Sequence, residues 1–360
     1  MSSFKPATSG AFAVDEARLI VADLFRHKPI VYWIDFAISY SIAAGATVIY
    51  FTEPNFSWLQ FVTWFVAGFA IFRTGVFIHE IVHMPARHMT GFKVVWNVLF
   101  GLPMLSPSFM YSNHRDHHNR RHYGTARDGE YLPMGIEPRA IILRYLLQIL
   151  FLPAFAIFRF FVLTPLSLIV PPFRRWVLER ASSYVCNPDY RRELPPNEDR
   201  GWWLVAEIGC FLLMIALIVG IATTTLHWWI IAEIYVLGML GVGLNWFRNL
   251  LAHRYCNRGG ELSHAQQLLD TITIGGWSPL VVLLFPIGMR YHALHHLFPA
   301  IPYHNLPEAH RRLMAQLPAD SPYRSTVSPG LWAAMKELWR RPKTEQELAY
   351  LQPHFGSRAA

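Results

Sequence analysis

Charge is scarce in this chain of 360 residues. Only 16% are Asp, Glu, Lys or Arg, against about 25% in soluble domains. With 53% hydrophobic residues, that shortfall excludes disordered, collagen-like and ordinary water-soluble chains. Cysteine is scarcer still. Cys186, Cys210 and Cys256 stand at unrelated spacings, which excludes a disulfide scaffold and any cysteine-based zinc or iron–sulfur site. Internal repeats, low-complexity tracts, a glycine-rich nucleotide loop and a fused haem domain are all missing. No apolar core follows directly on a basic start, so residues 1–29 do not read as a cleaved signal peptide. They read as a cytosolic or interfacial segment.

Long apolar runs are what the chain has instead. Four exceed the roughly 18 residues that span a bilayer: about 30–51, 56–78, 202–222 and 228–247. The fold class expected is all-α, a polytopic membrane bundle of about four transmembrane helices with added interfacial helices. The connections Thr52–Asn55 and Thr223–His227 contain none of the 32 Lys and Arg residues. The positive-inside rule then places both termini and the long middle region in the cytoplasm. It also accounts for the net charge of +8 through an anionic inner leaflet, without nucleic acid.

Residues 140–172 are apolar enough to span but carry Arg159, Pro153 and Pro165. A single crossing there would separate the histidines described next, so the segment is expected to lie in the interface or dip as a hairpin. Residues 92–110 and 271–289 read as interfacial or re-entrant. Residues 30–305 then form the membrane domain, and residues 306–360 a cytosolic helical tail. Gly238, Gly241 and Gly243 suit close helix packing in the fourth span. Asp35 and Glu207 lie about a turn from the cytoplasmic end, where they can reach water, and Glu233 lies near the outer end.

The chain holds 17 histidines, and most are clustered. Box one is His79-Glu80-Ile81-Val82-His83, just after the second span. Box two is His114-Arg115-Asp116-His117-His118, and box three is His292-Ala293-Leu294-His295-His296. Asn249 and His253 follow the last span. Spacings of three and four share a helical face, while adjacent rings diverge enough to reach different metal ions. Nine imidazoles are too many for one ion, and two ions take four or five each. Imidazole suits iron, zinc, copper and nickel, and spacing does not choose among them. Glu80, Asp116, Asp128 and Glu130 are the nearest acids for the outer ring nitrogens. Asp128 and Glu130 could instead neutralise Arg120, Arg121 and Arg127. His122 could be a ligand or a partner to one. His27, His88, His227, His264, His304, His310 and His354 read as packed or hydrogen-bonded. Trp96, Trp246 and Trp277 could line a substrate tunnel or form an interfacial belt.

These residues carry a resemblance. HEIVH (79–83), HRDHH (114–118) and HALHHLFP (292–299), continuing into Tyr303-His304-Asn305-Leu306-Pro307, resemble the membrane fatty acid desaturase superfamily over roughly residues 30–315. The superfamily includes hydroxylases and carotenoid oxygenases. The resemblance implies a cytoplasmic histidine-rich cap holding two non-haem iron ions, with O2 as co-substrate and a membrane acyl lipid as substrate. It implies His79, His83, His114, His117, His118, His253, His292, His295 and His296 as metal ligands, and Asn249 as an amide binding metal through water. No attached cytochrome b5 domain is visible, so electrons are expected from a separate ferredoxin, rubredoxin or cytochrome b5-like donor. Box three begins with His rather than Gln, unlike front-end desaturases. The expected activity is acyl desaturation, with lipid or carotenoid hydroxylation or ketolation as the alternative. A remoter alternative is an intramembrane zinc protease using His79, Glu80 as general base, and His83.

Overall fold

The computed structural model describes residues 14–340. The expectations for residues 1–13 and 341–360, His354 included, lie outside the described residues. Five helices are long and apolar enough to cross a membrane: α1 (Pro29–Thr52), α2 (Trp58–His83), α3 (Ala140–Ile169), α4 (Gly201–Ala222) and α5 (Ile230–Leu250). Local signals set their ends. Pro29 opens α1 at a position where a missing N–H costs nothing. The Ser57 hydroxyl caps α2 by accepting from the Gln60 amide at 3.0 Å. Large apolar side chains such as Ile34, Ile38 and Ile42 on α1, and Val205, Leu212 and Val219 on α4, face outward. Such a surface suits lipid, not water.

Polar links fix the bundle. On α1 and α2, Arg73 pairs with Asp35 at 2.6 Å. On α2 and α5, Gln60 donates to Glu233 at 2.9 Å. The close approach of α2 and α5 occurs at Gly68, where the Leu240 side chain occupies the space a Cβ would need. Gly238, Gly241 and Gly243 differ from expectation: a Cβ there would make ordinary contact with Pro153, Ile71 and Ile149.

α3 is one unbroken helix with a π turn at Arg159–Leu163, so the hairpin alternative is corrected. Its path follows from parity. His118 precedes α3 and His253 follows α5, yet both lie in the same histidine assembly. α4 and α5 cross out and back, so α3 starts and ends on the histidine side. Its contacts agree. The Tyr145 hydroxyl donates to the Trp246 carbonyl at 3.0 Å near the histidine end of α5. Arg159 pairs with Glu207 in the second turn of α4, and Trp203 one turn earlier stacks on Phe109, 5.1 Å away beside box two.

Glu207 itself is a second correction. It does not reach water: its carboxylate is fully buried and gripped by Arg159 and Arg174. Arg159 also donates to the Ala181 carbonyl, Thr164 and Ser182, each at 2.8 Å. The charge that marked α3 as a poor span is thus what anchors it to α4.

The two broken apolar stretches also resolve. Residues 90–111 form a helix, a π turn and a 3-10 turn, closed by Asn97, whose side-chain oxygen accepts from the Ser108 amide at 2.8 Å. Residues 271–289 are not re-entrant throughout. Thr273–Ile274 pairs in parallel with Val327–Ser328, and only Pro279–Leu284 is helical before the turn at Gly288. The helix Leu306–Gln316 packs on Val14–Ile20, and Arg312 meets Asp23 at 2.6 Å.

Replacing Glu207 with Leu leaves two guanidinium groups around a vanished carboxylate, one of them fully buried. Such a loss costs about 3–5 kcal/mol. Glu207→Leu is expected to lower the thermal unfolding midpoint in detergent by many degrees. Glu233→Gln keeps a hydrogen-bonding partner for Gln60 and is expected to stay near wild type. Equal midpoints for the two variants would remove the anchoring role.

Candidate metal centre

His79 and His83 project from the last two turns of α2. Box two is the short helix His114–His118, and box three the helix His292–Leu297. His253 lies just past α5, where its backbone bridges to Thr271. The nine rings form two groups. His79, His83, His114, His118 and His295 make one; His117, His253, His292 and His296 make the other. Within each, the nitrogens lie within 4.8 Å of one another. Metal–imidazole bonds of about 2 Å require such spacing. Adjacent rings part company: His117 and His118 join different groups, and so do His295 and His296.

The rings meet through Nε2. His253 Nε2 lies 3.1 Å from His117 Nε2 and 2.8 Å from His292 Nε2. His118 Nε2 lies 3.0 Å from both His114 and His295. Three Nδ1 atoms are committed outward. His117 Nδ1 meets Asp128 and His114 Nδ1 meets Glu130, each at 2.8 Å. His253 Nδ1 meets the Tyr123 hydroxyl at 2.7 Å. That hydroxyl has one proton, and Asp270 accepts it at 2.7 Å. Asp270 also accepts from Tyr131 and from the Cys256 amide.

These partners assign the tautomers. A carboxylate accepts only, so Nδ1 of His117, which meets Asp128, carries the proton. Tyr123 spends its proton on Asp270, so Nδ1 of His253 donates too. With His117 neutral, its Nε2 and that of His253 each bear a lone pair, and they face one another at 3.1 Å. Two lone pairs at that distance repel unless a cation engages them. The donor set fits a metal ion in each group. Burial pushes His114, His118, His253, His292, His295 and His296 well below the usual imidazole range, into the neutral form a ligand needs. Burial opposes charge on His117 as well, but the Asp128 carboxylate outweighs it and raises that ring.

The Asn249 amide donates to the Tyr145 hydroxyl at 3.4 Å. His122 pairs with Asp116 at 3.2 Å, outside both groups, and Asp116 also accepts from Tyr190. Asp128 and Glu130 support imidazoles; Arg127 pairs instead with Glu193, at 3.6 Å. His304 accepts from the Lys28 amide, His310 meets the Tyr323 hydroxyl, and His27 packs on His88. His227 accepts from the Trp229 amide, and His264 begins a helix. Trp96 is fully buried and donates to the Thr74 carbonyl, Trp246 stacks on Tyr145, and Trp277 is exposed.

Glu80 places one oxygen 3.9 Å from His79 Nδ1, and its other oxygen is committed to neighbouring elements. Its carboxylate accepts from the Tyr32 hydroxyl at 2.6 Å and the Tyr303 amide at 3.2 Å, tying α1, α2 and the 303 turn together. A protease base must face a metal-bound water, so this geometry disfavours the zinc-protease alternative. Sequence reasoning missed Tyr123, Tyr131, Asp270 and Arg248. Tyr123 stands beside His122, Tyr131 beside Glu130 and Arg248 beside Asn249; Asp270 is brought in by folding alone.

Residues 56–327 match the family described as Fatty acid desaturase. A ceramide hydroxylase of Caulobacter vibrioides (strain NA1000 / CB15N) is 34% identical over 339 residues, covering 94% of this chain and 96% of that protein. No solved structure matches. The matched region contains all nine converging imidazoles, and the chain belongs to the fatty acid desaturase family, an integral membrane oxidoreductase with its histidines gathered at one end of the bundle.

Proposed function

We propose that this protein is an O2-dependent lipid hydroxylase acting on a ceramide-class lipid. The observation that carries the reading is the full-length similarity to a ceramide hydroxylase around two imidazole groups fit to hold metals. The nine histidines would bind two iron ions, five imidazoles on one and four on the other. Asn249, steadied by Tyr145, would hold a metal-bound water. Bound iron supplies the oxidising power: O2, two electrons and two protons place one oxygen atom in a C–H bond and release the other as water. The chain's own residues keep the ligands neutral, fix the ring tautomers and hold the site at the membrane edge.

Desaturation, the first expectation from sequence, uses the same site and the same oxidant. It differs in losing a second hydrogen instead of gaining oxygen. We place the histidine end and both termini in the cytoplasm, since the opposite connections carry no Lys or Arg. The electron donor we propose is a separate acidic protein. Arg115, Arg120, Arg121, Arg127 and Arg258 are exposed around box two and His253, and a basic rim steers an acidic partner.

Three outcomes test this. Expression in a host that makes ceramide is expected to yield ceramide heavier by one oxygen atom; ceramide lighter by two hydrogens would restore desaturation. His118→Ala and His296→Ala each remove a ligand from a different group. Purified wild type is expected to hold two irons per chain, and each variant to lose iron and oxidation while remaining in the membrane. Asp128→Asn keeps every ligand but weakens the support of His117. Such changes weaken metal binding about 10–100-fold, to be read by iron retention against a chelator.

A further inference from the structure

Arg248 lies in the last turn of α5, one residue before Asn249. It is 5% exposed. One terminal nitrogen donates to Asn245 at 2.7 Å, while the Nε–H is buried without a partner. Among the described residues, no carboxylate lies within ion-pair distance of it. Two other buried arginines differ. Arg159 has a carboxylate, a carbonyl and two hydroxyls. Arg192 has Ser183, Ser112 and the Phe109 carbonyl. A buried guanidinium with an unmet donor is costly, and native proteins retain such groups for a reason.

Position supplies that reason. Arg248 sits where α5 meets the metal centre. Its charge bears on Tyr111 and Glu130, and on His253 and His292 in the four-imidazole group. Tyr111 hydrogen-bonds Glu130 at 2.9 Å, so negative charge is already nearby. The guanidinium already meets the Asn245 side-chain oxygen and the Tyr111 hydroxyl; what its Nε–H lacks is an oxygen acceptor. A hydrocarbon tail cannot provide one; a lipid head can.

We propose that Arg248 anchors the substrate head by donating a hydrogen bond to a neutral carbonyl or hydroxyl oxygen. This rests on the lipid-hydroxylase reading and narrows it. A head held beside the metal ligands presents the nearest carbons of the chain for oxidation and keeps the distal chain away. Arg248 is thereby a specificity-determining residue, and the hydroxyl belongs close to the head group. The buried site also discriminates strongly, because a substrate without the acceptor leaves the donor unpaired.

The test uses the purified, iron-loaded full chain and equilibrium binding of a short-chain ceramide, a diacylglycerol, a fatty acid and an alkane of matched length. Wild type is expected to bind ceramide well above alkane. Arg248→Met is expected to weaken ceramide about 10–100-fold, leave alkane unchanged and keep its iron and unfolding midpoint. Arg248→Lys, which retains a donor, is expected to recover part of the loss. Ceramide binding unchanged in Arg248→Met would overturn the proposal, as would loss of iron in both variants or a loss confined to the fatty acid. If wild type ignores ceramide but binds diacylglycerol through Arg248, the anchor stands and the ceramide reading falls.

Discussion

Lone pairs facing one another at hydrogen-bond distance are the constraint on which this molecule is built. The outward hydrogen bonds of His117 and His253 fix their protons on Nδ1, and their Nε2 atoms are then thrust together at 3.1 Å. Metal ions held there would engage both lone pairs, and neutral imidazoles would leave such ions strongly electrophilic, since the ligands bring no charge. The requirement reaches far into the fold. It fixes which ends of α2 and α5 meet.

The two imidazole groups are not supported alike. In the five-ring group, His114 leans on Glu130, which also accepts from Tyr111. In the four-ring group, His117 leans on Asp128 and His253 on Tyr123, with Asp270 behind it. Asp128 is itself held by the amides of Gly124 and Glu130, and Asp270 by two tyrosines and an amide. The group with fewer nitrogens therefore has the more rigid outer partners. Fewer ligands leave room at a metal, and rigid partners keep that room from collapsing. The segment carrying Asp270 runs directly into the paired strand at Thr273–Ile274, so the C-terminal region helps hold this side of the centre.

The long helices were legible because apolar runs of bilayer length have one cheap solution, and the boxes because spacing of three or four puts rings on one face. Even the parting of adjacent rings follows from the 100° step between neighbours on a helix. What was not legible came from distant residues. Glu207 read as a carboxylate that could reach water because sequence does not show Arg159 and Arg174 folding over it. Glu80 keeps one oxygen 3.9 Å from His79 Nδ1, but the sequence does not show Tyr32 and Tyr303 taking the other. The glycines of α5 looked like the packing face, but where α2 meets α5 it is Gly68 on α2 whose Cβ would collide, with Leu240. Residues 271–275 looked apolar enough to enter lipid because their strand partner lies more than fifty residues later.

Hydroxylation and desaturation share their first step, loss of one hydrogen from carbon, and part at the second. The outcome then depends on whether the carbon radical stays against the oxygen or the neighbouring C–H comes forward. A tail gripped only by apolar walls can slide along its own axis, since each methylene resembles the next. A head pinned by a directed hydrogen bond cannot, because sliding breaks the bond and leaves a buried charge unpaired. Arg248 at the foot of α5, within the same turn as Asn249 and just before His253, would supply such a pin. A fixed carbon held against one oxygen favours rebound over a second abstraction. A buried guanidinium orienting a polar head would thus tilt the shared chemistry toward adding oxygen, and would do so from outside the set of metal ligands.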